Sequence, residues 1–263
     1  MKLPGPVRQV GKRIIQATPI LRRHVLASTD YRLLSGPEEA RAMAGWTSGW
    51  FGARTVARQE RAYARLLAAM HRGEPRIDFQ VAIETVAATG IANPSLLEVG
   101  CGSGYYCEVF ATLLPGRVRY TGVDYSKAMI TRARAHYPSA AFEFGDATRL
   151  PYGDNTFDIV FNGVSLLHIV DYQAAVHQAA RVASRYCVLH TVPVHQHQTM
   201  FLSKYAYGGP VAEIIFNKKE LISLCVSAGL RLEHEWPCIP YDVHDVTGHH
   251  STTETYLFSK QAR

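Results

Sequence analysis

Residues 96–104 read Leu96-Leu97-Glu98-Val99-Gly100-Cys101-Gly102-Ser103-Gly104, an apolar run closed by three glycines at alternate positions. The apolar run has the length of a buried strand. Glycine reaches positive φ without a Cβ clash and lets a ligand approach the backbone. A helix that starts directly after such a turn leaves N–H groups unpaired at its N-terminus, where a carboxylate fits as well as a phosphate. Alone, the turn is weak evidence. Its spacing is G-x-G-x-G and Tyr105 to Cys107 hold no further glycine, which argues against the G-x-G-x-x-G of a dinucleotide site. No Gly-Lys-Ser/Thr follows, so a P-loop is excluded.

Outward from this turn, strand and helix patterns alternate. Strands are expected at 95–99, 118–123, 141–145, 157–162 and 186–191, with helices at 105–114, 126–136 and 172–183 between them. Ser126 is the N-cap candidate of the second of these helices. After an irregular stretch come a helix at 218–228 and strands at 230–236 and 255–259. Strands separated by helices imply right-handed crossovers and a largely parallel sheet, and the last two strands form an antiparallel edge pair. The expected fold class is α/β: a doubly wound, mostly parallel, seven-stranded sheet. Residues 1–92 carry no strand pattern and read as a helical lead-in, with helices at 55–71 and 79–89. The division is then 1–92 as lead-in or cap and 93–263 as the ligand-binding domain, with a lid-like insertion at about 192–217.

Two acidic residues follow the turn at the right distances. Asp124 ends Tyr120-Thr121-Gly122-Val123-Asp124, where a carboxylate can accept from both hydroxyls of a ribose. Its other use is to cap the next helix. Asp146, in Phe144-Gly145-Asp146-Ala147, sits at the end of the third strand, where a carboxylate and the next N–H can read an adenine edge, walled by Phe142 or Leu150. By itself Asp146 would be a turn residue.

Together these segments resemble the class I S-adenosylmethionine-dependent methyltransferases, in the small-molecule subgroup called type 11. The likeness runs from Ser95 to about Val192. Besides the turn it takes in Gly122-Val123-Asp124-Tyr125-Ser126, Gly145-Asp146-Ala147, Leu150-Pro151-Tyr152, Phe157-Asp158-Ile159-Val160, Leu167-His168-Ile169 and Arg181-Val182. The resemblance implies the Rossmann-like methyltransferase fold with a reversed final hairpin, and S-adenosyl-L-methionine as cofactor. It implies that Gly100, Cys101, Gly102 and Gly104 line the methionine part, and that Glu98 fixes the turn. Asp124 would hold the ribose, Asp146 and Ala147 the adenine, and Asn162 and Gly163 the amino-acid end, with Tyr125 a further cofactor-binding residue. Ala183-Ser184-Arg185 stands where the family has a glycine-containing turn. The stretch 190–217 is longer and richer in His and Tyr than the family needs. No Asn-Pro-Pro-Tyr-like segment follows the fourth strand, which disfavours amino methylation of nucleobases or glutamine.

Methyl transfer needs alignment and exclusion of water, and a base only when the acceptor must lose a proton. His168, just past the fourth strand, and His190, ending the fifth, are the catalytic candidates. Each is also readable as a packed interior histidine. Tyr205, Tyr207 and Glu213 belong to the insertion, which is placed to cover an acceptor. Trp46, Trp50, Arg58, Gln59 and Tyr63 are placed to close the site from the other side, although the same pattern fits an amphipathic helix docked on the sheet. His195-Gln196-His197, His244 and His249-His250 have metal-ligand character, but nothing fixes a carboxylate partner and no metal is expected.

Composition sets the outer bounds. Hydrophobic residues make up 47% and charged residues 19% of the 263, an ordinary globular balance. The net charge is +6, part of it early, at Lys2, Arg8, Lys12, Arg13, Arg22 and Arg23. This basic start is a candidate for peripheral membrane contact or a solvated helical face. It lacks the interleaved aromatics of a nucleic-acid surface, so no nucleic-acid partner is expected. Five cysteines without a Cys-x-x-Cys fit a reducing cytoplasm. No apolar run approaches the roughly 20 residues of a membrane span, and no secretory signal is evident. The expected activity is methyl transfer to a small molecule or glycan, with hydroxyl oxygen as the acceptor. The alternatives are a non-catalytic cofactor-binding protein on the same fold and a nicotinamide-dependent oxidoreductase, the latter disfavoured by the glycine spacing and by Asp146-Ala147.

Overall fold

A computed structural model describes residues 28–46, 53–206 and 209–261. The elements are numbered in chain order. The glycine turn follows β2 (Ser95–Val99), and β3 (Arg119–Asp124), β4 (Ala141–Phe144) and β5 (Phe157–Gly163) complete the parallel half of the sheet around it. β2 and β5 are buried almost end to end. Strands apolar on both faces must lie inside a sheet covered on both sides. Accordingly, β2 pairs with β3 on one side and β5 on the other, and β3 pairs with β4. Next to β5 comes β6 (Ala183–His195), also parallel. The final pair is reversed: β10 (Thr252–Lys260) runs antiparallel to β6, and β9 (Leu230–Pro237) antiparallel to β10.

Helices cover both faces. α3 (Ile77–Ala88) and α4 (Tyr105–Leu113) bury Phe79, Tyr105, Tyr106 and Phe110 against Leu96, Phe161, Val188 and Leu257. On the other face α6 (Tyr172–Val182) and α7 (Lys218–Ser227) join the larger core with Val160, Leu189, Val182 and Leu221. α5 (Lys127–His136) packs Ile130 and Ala133 against Cys101 and Phe142. Ser126 caps it as expected, its hydroxyl accepting from the Met129 N–H at 3.3 Å.

The expected seven strands are present, and three more extend them. β1 (Ser28–Leu33) falls in the segment read as helical, and β7 (Met200–Ala206) and β8 (Gly209–Asn217) fall in the insertion. β1 pairs antiparallel with β7, and β7 with β8. β8 joins the last residues of β6, Val194 opposite Phe216 and His195 opposite Asn217. Among the described residues one sheet therefore runs through ten strands. The changeover is marked in the backbone. Ladder pairing of β6 with β5 ends at His190, and Thr191 takes φ +54°, a costly conformation for a β-branched residue. Its N–H is satisfied by the Thr255 hydroxyl at 3.1 Å, where β10 carries a register shift.

The remaining described helices are two in the lead-in, α1 (Pro37–Trp46) and α2 (Ala53–His71), and a single turn α8 (His244–Thr247) before β10. The basic residues at Lys2 to Arg23, Trp50 and Tyr207 lie outside the described residues, as does the side chain of Trp46. None of the described helices is long and apolar enough to cross a membrane.

Candidate functional site

Gly100, Gly102 and Gly104 have φ of +75°, +54° and +87°. The space around two of them forbids a side chain as firmly as the backbone does. A Cβ on Gly100 would lie 2.4 Å from both Cβ and Oγ of Ser165, and one on Gly104 would lie 2.8 Å from the Phe142 ring. The turn is sewn to β3: the N–H groups of Gly100 and Cys101 donate to the Val123 carbonyl at 2.8 and 3.1 Å, and that of Gly102 to Asp124 Oδ2 at 2.9 Å. Cys101 turns its thiol into the sheet toward Gly122, where burial pushes its pKa up. The first three N–H groups of the turn are therefore engaged inside the protein, unlike a phosphate cradle.

What the surroundings offer is acceptors. Glu98 is buried; the Tyr120 hydroxyl donates to its Oε2, while Oε1 has no partner and lies where a Cβ on Gly163 would come within 2.6 Å. Burial pushes the Glu98 pKa up to about 8. Asp124, at the carboxyl end of β3, accepts from Gly102 and from the Ser126 N–H at 2.8 Å. It is buried, and desolvation raises its pKa against the pull of those two N–H groups. Helix capping falls to Ser126, so Asp124 is not the cap. An unpaired carboxyl oxygen beside N–H groups that are already engaged suits a ligand that brings hydrogen-bond donors.

Beyond β5, Asn162 Oδ1 accepts from Ser165 Oγ at 3.0 Å and from the Leu166 N–H at 2.8 Å, while Ser165 Oγ donates to the Val99 carbonyl at 2.7 Å. Asn162 thus shapes the short 3-10 turn Leu166–His168 and ties it to the strand beneath the glycines. Asp146 is exposed, and its Oδ1 closes a local turn by accepting from the N–H and hydroxyl of Thr148, each at 2.8 Å. Tyr125 is 40% exposed beside Asp124. Phe142 packs behind Gly104 and Leu150 in the large core, so neither walls the cleft. Leu150-Pro151-Tyr152 is held by Arg181 of α6, whose guanidinium donates to the carbonyls of Leu150 and Tyr152 at 3.1 and 2.8 Å. Those two sequence motifs are one structural clamp.

The two histidines separate. His190 is buried with both ring nitrogens engaged, Nε2 with the Tyr106 hydroxyl at 2.7 Å and Nδ1 with that of Thr255 at 3.0 Å. Its ring packs at 5.2 Å from Phe161, and burial holds its pKa down to about 3. It stands as an interior histidine that fastens β6 to α4 and β10. His168 is half-buried on the 3-10 turn at the carboxyl end of β5. Its Nδ1 donates to the Ala212 carbonyl of β8 at 2.7 Å, which leaves the lone pair on Nε2. Burial, then the charge of Lys204, lowers its pKa to about 3.

The insertion does not bring Glu213 to the cleft. Its side chain is fully buried, paired with Lys204 of β7 and accepting from the Tyr241 hydroxyl. His197 and His249 stack at 3.6 Å and His195 donates Nε2–H to the Gln198 carbonyl. Among the described residues no group of three or more His, Cys, Asp or Glu is arranged to hold a metal ion.

Among the described lead-in residues, Gln59 reaches the turn. α2 places the Gln59 amide oxygen 3.4 Å from the Cβ position of Gly102. Tyr63, one helical turn on, stacks on Tyr105 at 3.9 Å. The other named residue of this helix, Arg58, is exposed.

Part of this arrangement is similar to known proteins. Residues 97–189 match the model of a methyltransferase domain. A 27-O-demethylrifamycin SV methyltransferase of Amycolatopsis mediterranei is 38% identical over 97 residues, which cover 35% of each chain. A demethylmenaquinone methyltransferase of Shouchella clausii is 30% identical over 140 residues, covering 49% of this chain and 59% of that one. The chain thus spans between a third and three fifths of the length of these relatives. Among solved structures, the cyclase SpnF is similar in fold with a TM-score of 0.55 at 17% identity, over 70% of this chain and 82% of that one. The match to the methyltransferase-domain model begins within β2 and takes in the glycine turn, Asp124, Asp146 and His168 in a single stretch, so residues 97–189 are similar to a methyltransferase domain.

Proposed function

We propose that this protein methylates a small-molecule or glycan acceptor at a hydroxyl oxygen, using S-adenosylmethionine. The observation that carries the reading is the acceptor-rich glycine turn, in which Glu98 Oε1 is buried without a partner beside Gly163 while Asp124 waits at the end of the next strand. S-adenosylmethionine supplies a methyl group on a sulfonium whose sulfur departs as a neutral thioether. Glu98 would hold the ammonium, Gly100, Gly102 and Gly163 would admit the methionine part, Asp124 the ribose, and Asp146 with Ala147 the adenine.

The chain's own contribution to the chemistry is placement. His168 Nε2, at the carboxyl end of β5, is the candidate to orient the acceptor hydroxyl. With its pKa near 3 it is a poor base for an aliphatic alcohol. His190 is committed to Tyr106 and Thr255 and is no candidate. The acceptor favoured is therefore one whose hydroxyl is acidic by itself, as in a phenol or an enol. One of the two relatives is named for an O-demethyl substrate and the other for a demethylated quinone, which supports methylation of a small molecule. Fold alone would not carry the reading, since SpnF shares it and is a cyclase.

The test is calorimetric titration of the purified protein with S-adenosylmethionine, alongside Asp124→Ala. Saturable binding that weakens at least tenfold in the variant, about 1.4 kcal/mol, is expected. Methyl transfer is then expected to phenolic acceptors ahead of alkyl alcohols. A folded wild type that shows no binding would end the proposal, and turnover with alkyl alcohols alone would remove the assignment of an acidic hydroxyl.

A further inference from the structure

Helix α2 is fastened to α4, which follows the glycine turn, and to α5, which packs against Cys101 of the turn. Glu60 accepts from Arg132 Nε of α5 at 2.7 Å, with His136 Nε2 3.9 Å from the same oxygen. Tyr63 stacks on Tyr105 at the start of α4, and His71 hydrogen bonds to Glu108 in the middle of that helix at 2.6 Å. Gln59 sits among these anchors. Its amide lies over Gly102, with Oε1 3.4 Å and Nε2 3.7 Å from the Cβ position of that glycine. Gln59 Oε1 is buried and receives no hydrogen bond. A buried acceptor without a donor destabilises the fold as it stands, and native proteins carry few of them.

Glu98 Oε1 is the matching case on the strand that leads into the turn. Two orphaned acceptors thus bracket a turn whose own first N–H groups are already engaged. What both lack is a hydrogen-bond partner, and Gly102, which carries no side chain, leaves its Cβ position 3.4 Å from Gln59 Oε1.

We propose that Gln59 is a cofactor-binding residue, its amide oxygen accepting a hydrogen bond from S-adenosylmethionine, so that the lead-in helix forms one wall of the cofactor site. This rests on the cofactor reading above. The donor is either the ammonium of the methionine part or a ribose hydroxyl.

The experiment compares wild type, Gln59→Leu and Gln59→Glu by calorimetric titration with S-adenosylmethionine and with 5′-methylthioadenosine, which keeps the ribose and lacks the amino acid. Thermal unfolding without ligand is measured in parallel. Gln59→Leu is expected to weaken S-adenosylmethionine binding about tenfold, the scale of one buried hydrogen bond. Its ligand-free Tm should hold or rise, because the orphaned acceptor is gone. Gln59→Glu keeps an acceptor at the position and should recover most of the affinity. A penalty confined to S-adenosylmethionine identifies the ammonium as donor, and a penalty shared by methylthioadenosine identifies the ribose. Wild-type affinity in Gln59→Leu, within twofold, would overturn the proposal while leaving the cofactor reading intact. A lowered ligand-free Tm that tracks the loss of affinity would overturn it too, by showing that Gln59 only packs the helix. No binding by wild type would take down both readings together.

Discussion

The two halves of β6 belong to different structures. Up to His190 the strand lies beside β5; from Val194 it lies beside β8 and carries the β1–β7–β8 extension of the sheet. The cleft is assembled from short, consecutive pieces: a strand, a turn, a carboxylate, another strand. The added sheet is assembled from pieces some 170 residues apart, with Thr29 opposite Tyr205 and Leu33 opposite Leu202. Their buried charges differ in the same way. Glu98 leaves an oxygen unpaired for a visitor, whereas Glu213 is closed off by Lys204 and Tyr241. A buried carboxylate with an open oxygen points to a ligand, and one with its partners already in place points to architecture.

Breaking the closed cluster should have the largest effect on stability. Glu213→Ala leaves Lys204 buried without its counter-charge and is expected to cost about 3–5 kcal/mol in denaturant unfolding. The combined change Lys204→Met with Glu213→Leu should recover most of that loss. S-adenosylmethionine affinity of the folded fraction should stay at the wild-type value in both. Loss of affinity in the double variant would erase the distinction between the two regions.

Gly100→Ala tests the open side. Left-handed backbone strain together with the contact at Ser165 predicts a loss of roughly 2–4 kcal/mol. Unlike Glu213→Ala, it should also abolish measurable cofactor binding at temperatures where the protein is still folded. Retained affinity would show that the turn tolerates a Cβ and that its glycines serve packing alone.

The last test is a slope. Folding raises the Glu98 pKa from 4.5 to about 8. Between those values the native state holds a proton that the unfolded chain has released, so stability falls as pH rises through the window. Below about 4.5 Glu98 contributes no slope. Glu98→Gln has no such group to titrate, and its Tm should decline less than that of wild type from pH 5 to 8. Parallel curves would mean that Glu98 is ionised in the folded protein.

Much of the cleft was legible because its signals are local. Gly100, Gly102 and Gly104 stand where they do for the positive φ of a strand-to-helix turn, and Asp124 and Asn162 sit at strand ends readable from apolar runs. The roles of the histidines were not legible. His190 and His168 look alike in a sequence, and only the Tyr106 and Thr255 hydroxyls, 84 and 65 residues away, make one of them interior. β1 was read as part of a helical lead-in because six residues carry too little periodicity to declare a strand without their partner. Gln59 was visible as one of several lead-in residues able to close the site; nothing in its neighbourhood sets it apart from Arg58.

By itself the sequence determined the doubly wound sheet, the glycine turn and the acidic residues that follow it, since apolar periodicity, glycine φ and strand-end carboxylates are properties of a few neighbouring residues. Tertiary structure alone decided that three further strands extend the sheet, that His190 is interior, that Glu213 is closed, and that Gln59 overlies Gly102. Each of those depends on which distant side chains share a low-dielectric interior, where an unmatched polar group is costly and the fold must supply its partner or leave room for one.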